Sequence, residues 1–280
     1  MNSNPVEPKI LLATVAWKRH DLLKRFIVHH QKLGLDILIV GSEGPLLQDL
    51  CDQYDCEYID FTNERKQFMY KLNKRVDYFL ENEQYTHVLF MGSDDFMDKK
   101  LFDYMKTLIT PTNVVSWSDI YVYCNMRKEM IHLTDMPRPR KGEPFAPGRC
   151  MSRAAVEKLN GFLWLNKKGE PAGRYPDASL WGRIKNNIAP KDIVIASSRK
   201  SSGGFLVDIK TGVNLNGYPK VKRNAAPPVH EILEGALIDQ VKEIMSVTPE
   251  PETTIEIGEK SIVDFESDIG PRTKIGEYTI

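Results

Sequence analysis

Hydrophobic and polar positions alternate along this chain between two periods. Unbroken apolar runs, the mark of strands buried on both faces, occur at residues 9–16, 36–40 and 88–91. Between them apolar positions recur every three or four residues. Leu22, Leu23, Phe26, Ile27 and Leu33 share a face with His30; Leu46, Leu47, Leu50 and Tyr54 form a second set. Phe68, Met69, Leu72, Val76, Phe79 and Leu80 form a third, and Leu101, Phe102, Met105, Leu108 and Ile109 a fourth. Each set predicts an amphipathic helix, and Gly34 is placed to end the first. Residues 57–61 read as a shorter strand. Strands alternating with helices from residue 9 to residue 110 imply right-handed crossovers and an α/β fold. Its mostly parallel central sheet carries helices on both faces.

Beyond Pro111 the pattern loosens. Residues 113–116, 119–125 and 193–196 predict strands, and 136–144 a basic, proline-rich loop. Residues 152–159 predict a short helix with Ser152 as its N-cap. Residues 160–173 read as a loop containing Trp164. A further helix opens at Pro176, with Asp177 near its start, and residues 197–204 form a polar, basic loop. A last helix is expected over 232–245. Residues 246–280 are acidic and proline-containing, with strand content expected only around 253–257 and 261–265. The expected organisation is one domain over residues 1–245, split into halves at 9–110 and 111–245, with 246–280 as a tail or small appendage.

Composition narrows the classes. Of 280 residues, 41% are hydrophobic and 27% charged, as in ordinary globular proteins. With 38 basic and 38 acidic side chains the net charge is zero, which argues against a strong electrostatic grip on nucleic acid or membrane. Cys51, Cys56, Cys124 and Cys150 lack the paired spacing of a zinc site. Cys56 and Cys124 fall in expected strands, as buried thiols do. The first seven residues are polar, and no apolar run approaches the ~18 residues of a membrane span. These features predict a cytoplasmic protein.

The chemistry concentrates where the run at 88–91 stops. There Gly92 and Ser93 are followed by two adjacent carboxylates, Asp94 and Asp95. Open α/β sheets bind ligands at the carboxyl ends of their strands. Neighbouring carboxylates repel unless a cation, hydrogen bonds or water compensates them. A divalent metal is one explanation; a solvated turn, with Asp95 or Ser93 capping the next helix, is the other.

Four stretches in this order resemble the GT-A glycosyltransferases, in particular the inverting family-2-like enzymes. Thr14-Val15-Ala16-Trp17-Lys18-Arg19, with Asp21-Leu22-Leu23, is similar to the strand end and helix start that hold the nucleotide. Val40-Gly41-Ser42-Glu43-Gly44 stands at the second nucleotide-contacting loop, with Gly41 and Ser42 in place of paired acids. Lys71-Leu72-Asn73 followed by Gly92-Ser93-Asp94-Asp95 resembles the Lys/Arg-x-Asn helix and the Asp-x-Asp signature. Here Gly92 replaces the first acid. Gly161-Phe162, then Asp177 with Leu180-Trp181-Gly182-Arg183, resembles the distal acidic motif.

The resemblance implies a Rossmann-like GT-A fold and transfer of a sugar from a nucleoside-diphosphate donor to an acceptor hydroxyl, with inversion. It implies donor contacts from Thr14, Ala16, Trp17, Arg19, Ser42, Glu43, Lys71, Asn73, Ser93 and Asp94. Mn2+ or Mg2+ would sit on Asp94 and Asp95, with His230 as a further ligand, and Asp177 would be the general base. Arg65 or Lys66 are further candidates for positive charge near the diphosphate. Trp164 and Trp181 are candidates for stacking or for the core. The basic cluster Arg138, Arg140 and Lys141 reads as a solvated loop or a contact for an anionic acceptor. The acceptor class stays open among glycan, lipid-linked sugar, protein and modified nucleobase. Two other functions compete. A nucleotidyltransferase would be expected to carry a glycine-rich basic loop after the first strand, where this chain has Ala16-Trp17-Lys18-Arg19. A catalytically degenerate binding module would account for Gly41, Ser42 and Gly92.

Overall fold

The computed structural model describes residues 7–61, 68–125, 129–134, 136, 140–171, 176–211, 241 and 243. The first half follows the alternation read from the sequence: β1 (Ile10–Val15), α1 (His20–Gln31), β2 (Asp36–Gly41), α2 (Pro45–Gln53), β3 (Glu57–Asp60), α3 (Phe68–Glu81) and β4 (His87–Phe90). Then come β5 (Asp95–Met97), α4 (Lys99–Leu108), β6 (Val114–Trp117), β7 (Ile120–Cys124), β8 (Glu129–Leu133) and β9 (Phe145–Ser152). The described elements end with α5 (Arg153–Lys158), α6 (Pro176–Asn187), β10 (Ile193–Ala196), α7 (Ser198–Ser202) and β11 (Leu206–Lys210).

Seven strands form the central sheet in the order β10-β6-β9-β4-β1-β2-β3. All neighbours are parallel except β9, which lies antiparallel between β4 and β6. The sheet is therefore mostly parallel, as expected, with one inserted strand that the proline-rich loop feeds. Alternation within β1 assigns the two faces. Ile10 and Leu12 pack with Phe26 and Ile27 of α1, Leu47 of α2 and Leu101 of α4. Leu11 and Ala13 pack with Val76 and Phe79 of α3, Val156 of α5 and Trp181 of α6. Helices thus cover both faces, and burial of both explains why the strands read as continuous apolar runs.

A second sheet, ordered β5-β11-β7-β8, stands beyond the strand ends. It accounts for two departures from the sequence reading. Asp95 does not cap the next helix; it starts β5, and Asp98 caps α4 instead, its Oδ1 accepting from the Leu101 amide at 2.9 Å. The polar loop expected over 197–204 contains the short helix α7, N-capped by Ser197. Ser152 caps α5 as anticipated. Trp164 and Trp181 are both core residues, and the four cysteines are unpaired thiols. Among the described residues no helix is long and apolar enough to cross a membrane. The last helix and the 246–280 appendage lie outside the described residues, apart from residues 241 and 243. Arg65, Lys66, Arg138 and His230 lie outside them too.

Asp98 ties the start of α4 to the second sheet. The oxygen that caps α4 also accepts from the Phe205 amide at 3.0 Å, at the entry to β11. Asp98→Ala removes both bonds and is expected to cost about 1–2 kcal/mol. Urea denaturation measures this as a lower midpoint at unchanged slope; an unaltered midpoint would show that the cap does not hold β11 in place.

Candidate functional site

The carboxyl ends of β1, β2, β3 and β4 open onto one edge of the central sheet, and the residues singled out from the sequence separate there into three groups. The first surrounds Asp94. Residues 92–94 leave β4, turn, and enter β5, which pairs antiparallel with β11 so that Asp208 lies opposite Asp95. Carboxylate oxygens of Asp94, Asp95 and Asp208 all come within 4.8 Å of one another. Asp208 and Lys210 had no place in the sequence reading. The apolar-polar alternation Leu206-Val207-Asp208-Ile209-Lys210 is the signal that could have found them, since a strand puts residues 208 and 210 on one face.

Three carboxylates this close need compensation. Arg19 supplies part of it: its Nη1 meets Asp94 Oδ2 at 2.9 Å, and its Nη2 donates to Ser93 Oγ at 3.2 Å. Lys210 Nζ lies 2.6 Å from Asp208 Oδ2 and 3.8 Å from Asp94 Oδ2. Asp95 turns inward, its Oδ2 accepting from the Gly92 amide at 2.6 Å. Among the described residues two cations stand against three carboxylates. Burial, with Asp208 and Asp94 nearby, pushes the Asp95 carboxyl well above the usual range. Burial and Asp94 push Asp208 up to about 7. Burial alone would lower the Lys210 ammonium, but Asp208 and Asp94 leave it raised. Asp208 Oδ1 is buried and has no hydrogen-bond partner. A hard cation prefers oxygen donors of this kind, so the donor set and its orphaned oxygen fit a divalent ion.

The turn that delivers Arg19 is strained. Lys18 and Arg19 both adopt left-handed conformations, with φ of 56° and 58°, without glycine; each such residue costs on the order of 1–3 kcal/mol. The second group holds this turn. Glu43 Oε2 accepts from the Lys18 amide at 2.8 Å, and Glu43 Oε1 lies 3.2 Å from His20 Nε2. Burial opposes ionisation of Glu43, yet His20 and the Lys18 amide bring its pKa below the ordinary value. Lys71 Nζ donates to Ser42 Oγ. Burial pushes the Lys71 ammonium down, while Glu43 and Asp60 pull the other way. Trp17 is half-buried, with Lys18 Nζ 4.4 Å from its ring centre.

Three residues expected to contact the donor lie in the interior. Thr14 and Ala16 are fully buried. Asn73 fastens α3 to the loop at 163, its Oδ1 accepting from the Leu163 amide at 3.1 Å.

The third group lies on the opposite face, around Asp177 in the first turn of α6. Its negative charge acts on two buried arginines, Arg75 of α3 and Arg149 of β9. Arg75 is held by Leu72 and Ala13 carbonyls at 3.2 and 3.0 Å and lies against the rings of both Phe90 and Trp164. Neither arginine was a candidate in the sequence, because nothing local distinguishes a buried arginine from a solvated one.

No family model matches the chain, and no curated protein matches it. Solved structures do share its fold. TarS of S. aureus, solved over residues 1–349, aligns with a TM-score of 0.52 at 10% identity, over 72% of this chain and 60% of that one. The chain thus spans less than two thirds of that TarS structure. The inositol-1-phosphate CTP transferase of T. maritima aligns with a TM-score of 0.51 at 9% identity, over 87% of this chain and 99% of that one. The structural neighbours are GT-A-like glycosyltransferases and nucleotidyltransferases. At such identities the likeness establishes the fold.

Gly92 has a steric reason. A Cβ added there would stand 2.7 Å from Asp95 Oδ2 and 2.8 Å from Asp94 Oδ1. Gly92→Ala is expected to force the two carboxylates apart and to cost about 1–3 kcal/mol. A thermal melt tests this, and an unchanged melting temperature would show that the acidic turn has room to spare.

Proposed function

We propose that this protein is a metal-dependent glycosyltransferase that moves a sugar from a nucleoside-diphosphate donor to an acceptor hydroxyl with inversion. The observation that carries the reading is the acidic trio beyond the strand ends, with Asp208 Oδ1 buried and unpartnered. Asp94, Asp95 and Asp208 would hold Mn2+ or Mg2+, which supplies compensation for the charge that develops on a leaving diphosphate. Arg19 and Lys210, already facing Asp94, would add fixed positive charge beside the same diphosphate. Trp17, Ser42 and Lys71 stand along the edge where a nucleoside would extend.

In the reaction the acceptor oxygen bonds to the anomeric carbon as the bond from that carbon to the diphosphate oxygen breaks. The diphosphate leaves with the electron pair, and Asp177 takes the hydroxyl proton. Asp177 stands in the first turn of α6, and a helix start provides a rigid platform for a base. Nucleotidyl transfer is the second reading, favoured by the fold shared with the CTP transferase. Against it, the β1–α1 turn contains no glycine and spends Arg19 on Asp94. The two reactions release different products: a nucleoside diphosphate in sugar transfer, pyrophosphate in nucleotidyl transfer.

Nucleoside diphosphates are expected to raise the melting temperature in the presence of Mn2+, with the effect lost in Asp94→Asn and Asp208→Asn. No shift with any nucleotide would sink the donor site. Asp177→Asn is expected to keep that shift while lowering kcat by roughly 10²–10⁴; full activity in this variant would exclude it as the base.

Stabilisation by Mn2+ is also expected to be larger at pH 8 than at pH 6. Asp208 titrates near 7 and Asp95 is raised too, so protons compete with the metal below that value and cease to above it. An equal or larger shift at pH 6 would place the ion elsewhere.

A further inference from the structure

Among the described residues, Arg149, on which Asp177 acts, and its neighbour Arg140 each keep a buried guanidinium nitrogen without a hydrogen-bond partner. Arg149 is 1% exposed. Its Nε donates to Ser116 Oγ at 3.2 Å, while its Nη2 is buried and unpartnered. Arg140 spends its Nε on Glu143 at 2.7 Å, and its Nη2 is likewise buried and unpartnered. The two arginines are neighbours in space, close enough for the charge of Arg140 to disfavour a second cation at Arg149. Strand pairing sets Arg149 beside Phe90, the last residue of β4, so it lies next to the sheet edge that opens onto the site. The ring of Trp181, also from α6, is 6.0 Å from its guanidinium.

Among the described residues the charges of this group do not balance. Arg75, Arg140 and Arg149 face Asp177 and Glu143, which leaves one positive charge over among these groups. A buried donor without a partner costs roughly 1–3 kcal/mol, more when it is charged, and native structures rarely leave one without a use. A neutral hydroxyl would meet the hydrogen-bonding need but not the charge. A phosphate or carboxylate meets both, and guanidinium groups suit such planar or tetrahedral oxygen clusters. The donor diphosphate is a poor occupant. Its expected partners pack with β5 and β11 on the other face, with Phe96, Met97 and Leu206, whereas Phe90, Met151 and Trp181 line this one.

We infer that Arg149 and Arg140 bind an anionic group, phosphate or carboxylate, carried by the acceptor next to the hydroxyl that Asp177 deprotonates. The assignment to the acceptor rests on the glycosyltransferase reading of Asp177; binding of the anion itself does not require turnover.

The test is a thermal-shift titration of the full chain with inorganic phosphate, glucuronate and, as the neutral control, glucose. Each is run alone and with saturating nucleoside diphosphate and Mg2+. A phosphate or glucuronate shift that survives the nucleotide, exceeds that of glucose, and falls several-fold in Arg140→Gln supports the site. Phosphate above glucuronate would identify a phosphorylated acceptor, and the reverse order a uronate-like one. Arg140 lies in a half-buried loop, so Arg140→Gln keeps the test open where Arg149→Gln fails to fold. Comparison between variants also removes the general stabilisation that phosphate exerts by exclusion from protein surface. The inference is overturned when neither anion exceeds glucose, when the shift is unchanged in Arg140→Gln, or when nucleotide abolishes it. Nucleotide binding without anion binding would overturn this inference alone; anion binding without nucleotide binding would overturn the donor site alone.

Discussion

The constraint that organises this molecule is the mutual repulsion of Asp94, Asp95 and Asp208, brought within 4.8 Å at the end of a buried strand. Each local feature nearby answers it. The strained β1–α1 turn sends Arg19 to Asp94, Lys210 bridges Asp208 and Asp94, and Asp95 withdraws onto the Gly92 amide. Glu43 in turn stabilises the strained turn through the Lys18 amide. The compensation is incomplete, because one oxygen of Asp208 faces no donor. Among the described residues two cations face three carboxylates, a donor set that fits a divalent ion.

The same geometry accounts for the chain's departures from the family pattern it resembles. Where an acid would be expected, Gly92 has no room for a side chain, because the following two carboxylates occupy that space. Asp208 brings a third carboxylate from a strand more than a hundred residues later. Gly41 is crowded too: a Cβ there would meet Leu47 Cδ1 and, at 3.0 Å, Tyr58 Cε2. At both glycines a side chain would have to displace its neighbours, so close packing is a sufficient reason for glycine at positions 41 and 92.

On the other face the design principle is reversed. There, among the described residues, Arg75 lies against two aromatic rings and is held by backbone carbonyls, and Arg149 and Arg140 each keep a buried nitrogen without a hydrogen-bond partner. The two faces of the sheet thus carry clusters of opposite charge, carboxylates on one and guanidinium groups on the other.

Much of this was legible in the chain. The apolar runs of β1, β2 and β4 and the helical periods of α1 to α4 are local patterns, set by burial on two faces or one. The abrupt end of a buried strand in Asp94 and Asp95 likewise marks a site without any partner being known. Tertiary structure decided the rest, because it depended on residues distant in sequence. The antiparallel β9 slips between β4 and β6, β11 sets Asp208 against Asp95, and Asn73, Thr14 and Ala16 turn inward. Whether Arg149 is a solvated surface cation or a buried one depends on what packs over it. Sequence periodicity records which face of an element is apolar, but not which charged groups from other elements converge at its end.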